Sequence, residues 1–183
     1  MAGHSHWAGI KHKKGIADQK RGRLFAKLLS AISVAAKSEA NPEFNPRLRT
    51  AIEKAKDASV PQEKIESAIK RASETGQNLE DLLFGAYGPG GAAILIEAVS
   101  DNKNRTVAEI KKVLSDAGGK WSEIGSVEWA FSAEGEPASG GEYNRWKIKF
   151  RQELNEQDKN SLAALVKALK EHDDVQEVYT NAK

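Results

Sequence analysis

Near its start the chain gathers three imidazoles, an indole and three lysines in GHSHWAGIKHKKG, Gly3–Gly15, with no acid among them. The imidazoles of His4, His6 and His12 are metal ligands by type, but the segment has no carboxylate to complete an open catalytic site and the chain has no cysteine. Removal of Met1 would leave Ala2-Gly3-His4, whose amine, amides and imidazole suit square-planar Cu(II) or Ni(II). No biological role follows from that, and neither a metal nor any other cofactor is expected. Elsewhere no nucleophile–base pair or carboxylate dyad stands out. Serines and aspartates are scattered among caps and turns, and His172 sits at an acidic helix end. No catalytic residue is assigned, and the chain is expected not to be an enzyme.

Phosphate binding fits better. Lys and Arg neutralise phosphates and release counterions, so clustered positive charge gives affinity without reading sequence. Lys11, Lys13, Lys14, Lys20, Arg21 and Arg23 form such a cluster beside His12, with Lys27 further along. Trp7 offers a flat face for a base, or an anchor that fastens the segment to the domain behind it. A second basic face joins Arg47 and Arg49 to Lys70 and Arg71. Cations at helix ends also answer the helix dipole, which explains those four equally well. In DNKNRT, Asp101–Thr106, Lys103 and Arg105 could hold a phosphate at a helix N-terminus, and Asn104 and Thr106 suit ordinary capping.

These residues need elements to position them. Leu24, Leu28, Ile32 and Ala35 recur at helical spacing, so a helix is expected over Ala17–Lys37, ended before Pro42. Asn45 caps a second helix with Pro46 at its first position, and a third runs from Pro61 to Gly76. FGAYGPGGAAI, Phe84–Ile94, lacks the strand before it and the Lys-Ser/Thr after it that a phosphate loop requires, so it is read as a hinge and a tight turn. Beyond it, Ala92–Ser100 is a strand, and Thr106 to Glu109 is a capping box opening a helix that Gly118-Gly119 stops. Val127, Trp129 and Phe131 alternate as one face of a strand, and Trp146, Ile148 and Phe150 as one face of another. Asn155–Glu171 is a helix and Val175–Thr180 the last strand. With the aromatics turned inward, Arg145, Lys147, Lys149 and Arg151 share the sheet's open face, as a solvated basic stripe on an edge strand. RNA-recognition sheets place aromatics there instead. The expected fold is α+β, a basic three-helix domain over 1–78 followed by a ferredoxin-like β-α-β-β-α-β domain over 79–183.

Composition agrees with that division. The net charge of +2 is unevenly spread: residues 1–74 hold 15 Lys+Arg against 8 Asp+Glu, and the rest 13 against 18. The excess is densest in residues 1–23, with six Lys/Arg and the single acid Asp18. No run is long and apolar enough for a membrane span and no secretory core follows the basic start, so a soluble cytoplasmic protein is expected.

The blocks MAGHSHWAGIKHKKG, KRGRLFAKL, NPRLRTAIEKAK, PQEKIESAIKRA, YGPGG, DNKNRTVAEIKKVL, GSVEWAF and DDVQEVYTN resemble, in order, those of the YebC/PmpR family, which includes a mitochondrial translational activator of cytochrome oxidase. The likeness runs from Met1 to Phe131 and returns at Asp173–Asn181. It implies a non-enzymatic regulator of gene expression that binds DNA, as probable transcriptional regulators of the family do. Other members resemble ribosome-associated translation factors that bind structured RNA, and a protein-partner adaptor acting through the acidic half is a third class. Family members carry a further α/β domain where this chain has only AEGEPASGG, Ala133–Gly141. GKWSEI, Gly119–Ile124, replaces a Gly-Asn-Leu-Gly type of segment. The expected partner is nucleic acid, DNA or ribosomal RNA, with the ribosome itself as one setting and no membrane. The motifs do not define the oligomeric state.

Overall fold

A computed structural model describes the backbone of residues 3–75, 78–133 and 146–183, with side chains from residue 17 onward in these stretches, Thr75 excepted. Helices α1 (Gly3–Ala36), α2 (Pro46–Asp57) and α3 (Gln62–Thr75) come first. Their apolar stripes meet in one core of Ile32, Ala35, Leu48, Ala55, Ile65, Ala68 and Ala72. Asn45 joins α1 to α2. Its Oδ1 accepts from the Leu48 amide (3.0 Å), and its Nδ2 donates to the carbonyls of Ala35 and Glu39 (both 2.7 Å). A helix end is thereby capped and two connection carbonyls are satisfied by one side chain.

The opening segment differs from expectation. It is no arm ahead of a helix: α1 is continuous for 34 residues, about 50 Å at the usual rise. Glycines at 3, 9, 15 and 22 weaken a helix without breaking it, and no proline interrupts. The sequence of residues 3–16 carries no apolar stripe at helical spacing, so the helix is not announced there. Burial in the helical core begins at Phe25.

A four-stranded sheet follows, built from β1 (Glu80–Tyr87), β2 (Ala93–Ser100), β3 (Lys120–Ser122) and β6 (Val175–Thr180) in the order β3-β1-β2-β6. Every neighbouring pair is antiparallel, with Phe84 opposite Ile96 and Ile96 opposite Val178. Helices α4 (Lys103–Asp116) and α6 (Glu156–Glu171) cover one face, where Phe84, Ile94, Ile96, Ile110, Leu114, Leu165 and Leu169 are buried together. The other face buries Ala93 and Leu95 under Val127, Ala130 and Phe131. These come from α5 (Ile124–Val127), the 3-10 turn Glu128–Ala130 and the small antiparallel pair β4 (Phe131–Ala133) and β5 (Trp146–Ile148).

The α+β class stands, while the β-α-β-β-α-β order is corrected: a β1–β2 hairpin precedes α4, and β4 and β5 pair outside the main sheet. The segment read as a hinge is half strand. Gly85 suggested a break, but it is a point of close approach. A Cβ there would lie 2.8 Å from Val127 Cγ2 and 2.9 Å from the Glu123 carbonyl oxygen. The tight turn into β2 is present, with Gly90 and Gly91 at φ +68° and +76°. The second correction is at Val127–Ala130, which is helical turns rather than a strand; only Phe131 of the expected face opens a strand, β4. The third is the cap of α4. Asn102 Oδ1 accepts from the Arg105 amide (3.1 Å), and Thr106 lies buried within the helix, its hydroxyl 2.6 Å from Asp174 Oδ2.

Candidate nucleic-acid interface

Residues 17–24 of α1 are all exposed, one after another around the whole helix. This stretch holds Lys20, Arg21 and Arg23. Seven-residue spacing puts positions 13, 20 and 27 on one stripe of the helix, and positions 14 and 21 beside it. The backbone at Trp7, Lys11, His12, Lys13 and Lys14 is helical, and their side chains lie outside those described. The first turn of α1 contains no acid, so nothing in the helix offsets the positive end of its dipole.

The predicted cations separate into two groups. Lys20, Arg21 and Lys103 have no ion-pair partner among the described residues. The other predicted cations with described side chains are engaged. Arg23 Nε stands 3.8 Å from Asp173 Oδ1, and Lys27 Nζ donates to the Lys170 carbonyl at 2.5 Å. Burial lowers the Lys27 pKa, against the opposing pull of Asp173 and Glu177. Arg47 grips Asp81 with both terminal nitrogens, at 2.6 and 2.5 Å. Arg49 turns back onto the carbonyls of Pro42 and Glu43, Arg71 onto that of Ser67, and Lys70 lies 3.9 Å from Glu74. The face assembled in sequence from Arg47, Arg49, Lys70 and Arg71 is thus largely committed to local and inter-element pairings.

Arg105 is the most heavily committed. It lies 3.0 Å from Asp101, 3.0 Å from Asp174 and 4.0 Å from Glu109. Its hydrogen bond and charge attraction to Asp174 raise its pKa. Burial pushes the Asp174 carboxyl up, but hydrogen bonds from Thr106, Arg105 and Ser100 outweigh burial and hold it below the ordinary range. The network lines an open cleft of about 590 Å³ in which Arg23, Arg105 and Lys112 face Glu109, Asp173 and Asp174. Glu109, His172 and Asp174 bring ligand atoms within 4.8 Å of one another. Their donor set is poor for a metal. His172 Nδ1 accepts the Asp174 amide (3.1 Å), so Nε2 carries the ring proton and donates to Glu109 (2.9 Å). No ring lone pair remains for an ion, and both carboxylates are already paired with Arg105.

The aromatic pattern is corrected here. Phe131, Trp146 and Ile148 pack inward, but Trp129 and Phe150 are exposed. The 3-10 turn at Glu128–Ala130 breaks the alternation on one side, and the end of β5 breaks it on the other. Lys147 lies on β5, outside the main sheet, and Lys149 and Arg151 follow it, so they are not a stripe on that sheet's open face. Arg145 lies outside the described residues. Among the described residues no helix is long and apolar enough to cross a membrane.

Residues 5–75 match the family model described as TACO1/YebC protein N-terminal domain, and residues 79–144 that of the TACO1/YebC second and third domain. A "Probable transcriptional regulatory protein" of Petrotoga mobilis is 51% identical over 138 residues, 74% of this chain and 55% of that protein. One of the same description from Methylacidiphilum infernorum is 48% identical over 153 residues, 82% of this chain and 61% of the relative. The chain thus spans little more than half the length of these relatives. The crystal structure of a conserved hypothetical protein, Aq1575 from Aquifex aeolicus, superposes with a TM-score of 0.78 at 34% identity, over 97% of this chain and 96% of that one.

Proposed function

The chain belongs to the TACO1/YebC family, and we propose that it is a non-enzymatic, cytoplasmic regulator of gene expression that grips the backbone of a nucleic acid through α1, at and before its exposed stretch 17–24. The observation that carries this reading is the stretch of α1 in which Lys20 and Arg21 stand exposed, with no ion-pair partner among the described residues, while most other predicted cations already have partners. A helical stretch exposed on every side, as residues 17–24 are, gains little from packing, and its charge is available to phosphates. Such contacts position a protein on its target but read no bases. The target is then selected by shape. That suits a folded RNA as well as duplex DNA, because an RNA helix displays its phosphate path and 2′-hydroxyls. The relatives' descriptions favour the transcriptional setting, and the lack of base reading favours ribosomal RNA.

Two variants test the reading through the slope of log affinity against log salt. Lys20→Ala with Arg21→Ala should flatten the slope by about 0.7–0.9 for each phosphate no longer neutralised. Arg47→Ala, whose partner is Asp81, should leave it unchanged and cost no more than about 1 kcal/mol of stability, as a half-exposed ion pair. An unaltered slope in the Lys20/Arg21 variant removes α1 from the interface.

A further inference from the structure

Four large apolar side chains are exposed among the described residues, Leu24, Phe44, Trp129 and Phe150, and two of them touch. Single exposed apolar residues are ordinary, whereas a contacting aromatic pair calls for a reason. Trp129 is 49% exposed and Phe150 56%, with ring centroids 5.9 Å apart and planes inclined by 39°. Both are held in place from behind. The Trp129 indole N–H donates to the Ser126 carbonyl (2.8 Å). The amides of Lys149 and Phe150 both donate to the carbonyl of Ala130, itself buried with Val127 and Phe131 on the sheet's other face. The rings are therefore pre-positioned by backbone and lose little freedom on binding.

Their surroundings indicate what they bind. Lys149 Nζ lies 5.9 Å from the Phe150 ring centroid, and Arg151 follows, exposed. Glu153 is drawn 3.8 Å from Lys183, which leaves Glu128 as the neighbouring acid in sequence. Aromatic faces suit planar bases and the flanking cations suit the phosphates that join them. A protein interface is depleted of lysine among its apolar anchors, whereas here Lys149 lies against the Phe150 ring itself. We propose that Trp129 and Phe150 form a stacking platform for unpaired bases of a single-stranded nucleic acid, with Lys149 and Arg151 meeting its backbone. This rests on the nucleic-acid reading above and deepens it, adding to the backbone grip of α1 a second site that needs exposed bases. Because every base has a π face, the platform is tolerant of sequence.

The test compares the full chain with a Trp129→Ala, Phe150→Ala double variant and with Trp129→Phe. The probes are labelled oligothymidylate, an abasic strand of the same length, and a duplex. Wild type should prefer the base-bearing strand over the abasic one by about fivefold or more per stacked base. The double variant should lose that preference while keeping its affinity for the abasic strand and the duplex, and Trp129→Phe, which retains an aromatic face, should keep most of it. A double variant that keeps the preference overturns the platform and leaves the α1 reading intact. Wild type that binds none of the probes at low salt overturns the nucleic-acid reading itself. If the double variant instead changes the sedimentation coefficient from that of a dimer to that of a monomer with base preference intact, the patch is a self-association surface and the platform is refuted.

Discussion

Replacing Asn45 with alanine removes three hydrogen bonds at the corner where α1 meets α2. The cap to the Leu48 amide, 3.0 Å long, accounts for about 1 kcal/mol by analogy with other N-caps. The Asn45 side chain is nearly enclosed, at 7% exposure, so its two donated bonds are not simply replaced by water. Ala35 keeps a second donor in the Ser38 hydroxyl (3.2 Å) and Glu39 is exposed, which limits the loss at those carbonyls to about another 1–2 kcal/mol. The sum is about 2–3 kcal/mol. With a urea m-value of about 2 kcal/mol per molar, the midpoint should fall by about 1–1.5 M without a change in slope. Asn45→Ser keeps the cap and forfeits the amide reach, so it should recover about 1 kcal/mol of the loss. Circular dichroism during urea unfolding reads both variants. Equal, negligible shifts for alanine and serine would refute the assignment of Asn45 as the joint of the helical core.

Two further outcomes follow from particular distances and charges. Gly85→Ala forces a methyl group against Val127 and the Glu123 carbonyl, and should cost about 1–3 kcal/mol, read as a lowered thermal midpoint. The Asp174 carboxyl is held below the ordinary range in the folded chain, so its contribution is present above the unfolded value of about 3.9 and is lost as pH falls toward the folded value. Urea midpoints of wild type and Asp174→Asn should therefore differ at neutral pH and converge in acid; a constant gap refutes the assignment.

The sequence is readable wherever one face of an element is buried. Asn45-Pro46 announces α2, and Asn155 with Leu162, Leu165 and Leu169 announces α6, because cap and apolar spacing agree. It misleads where burial is absent or two-sided. The first half of α1 carries no apolar periodicity in sequence, so nothing there marks the 34-residue length of the helix. β1 contains Gly85, which imitates a breaker while serving close packing against α5. Trp129 and Phe150 sit at positions that alternation would turn inward, and a 3-10 turn and a strand end, neither of which leaves a clear trace in composition, turn them out. At the candidate interface the charges themselves were legible but their occupancy was not. Asp81 lies 34 residues from Arg47 and Asp174 69 from Arg105, separations that no local pattern spans.

The central claim is that α1 grips phosphate backbone without reading bases. It is tested most directly by titrating one preparation with salt in the presence of ribosomes and of two unrelated DNA duplexes of equal length. The protein should cosediment with ribosomes at low salt and leave them as salt rises, and its duplex affinities should differ by less than the ~1–3 kcal/mol typical of one mismatched base pair in a specific site. A duplex complex that resists competitor DNA and discriminates strongly between the two sequences, with no protein in the ribosome fraction, would contradict it.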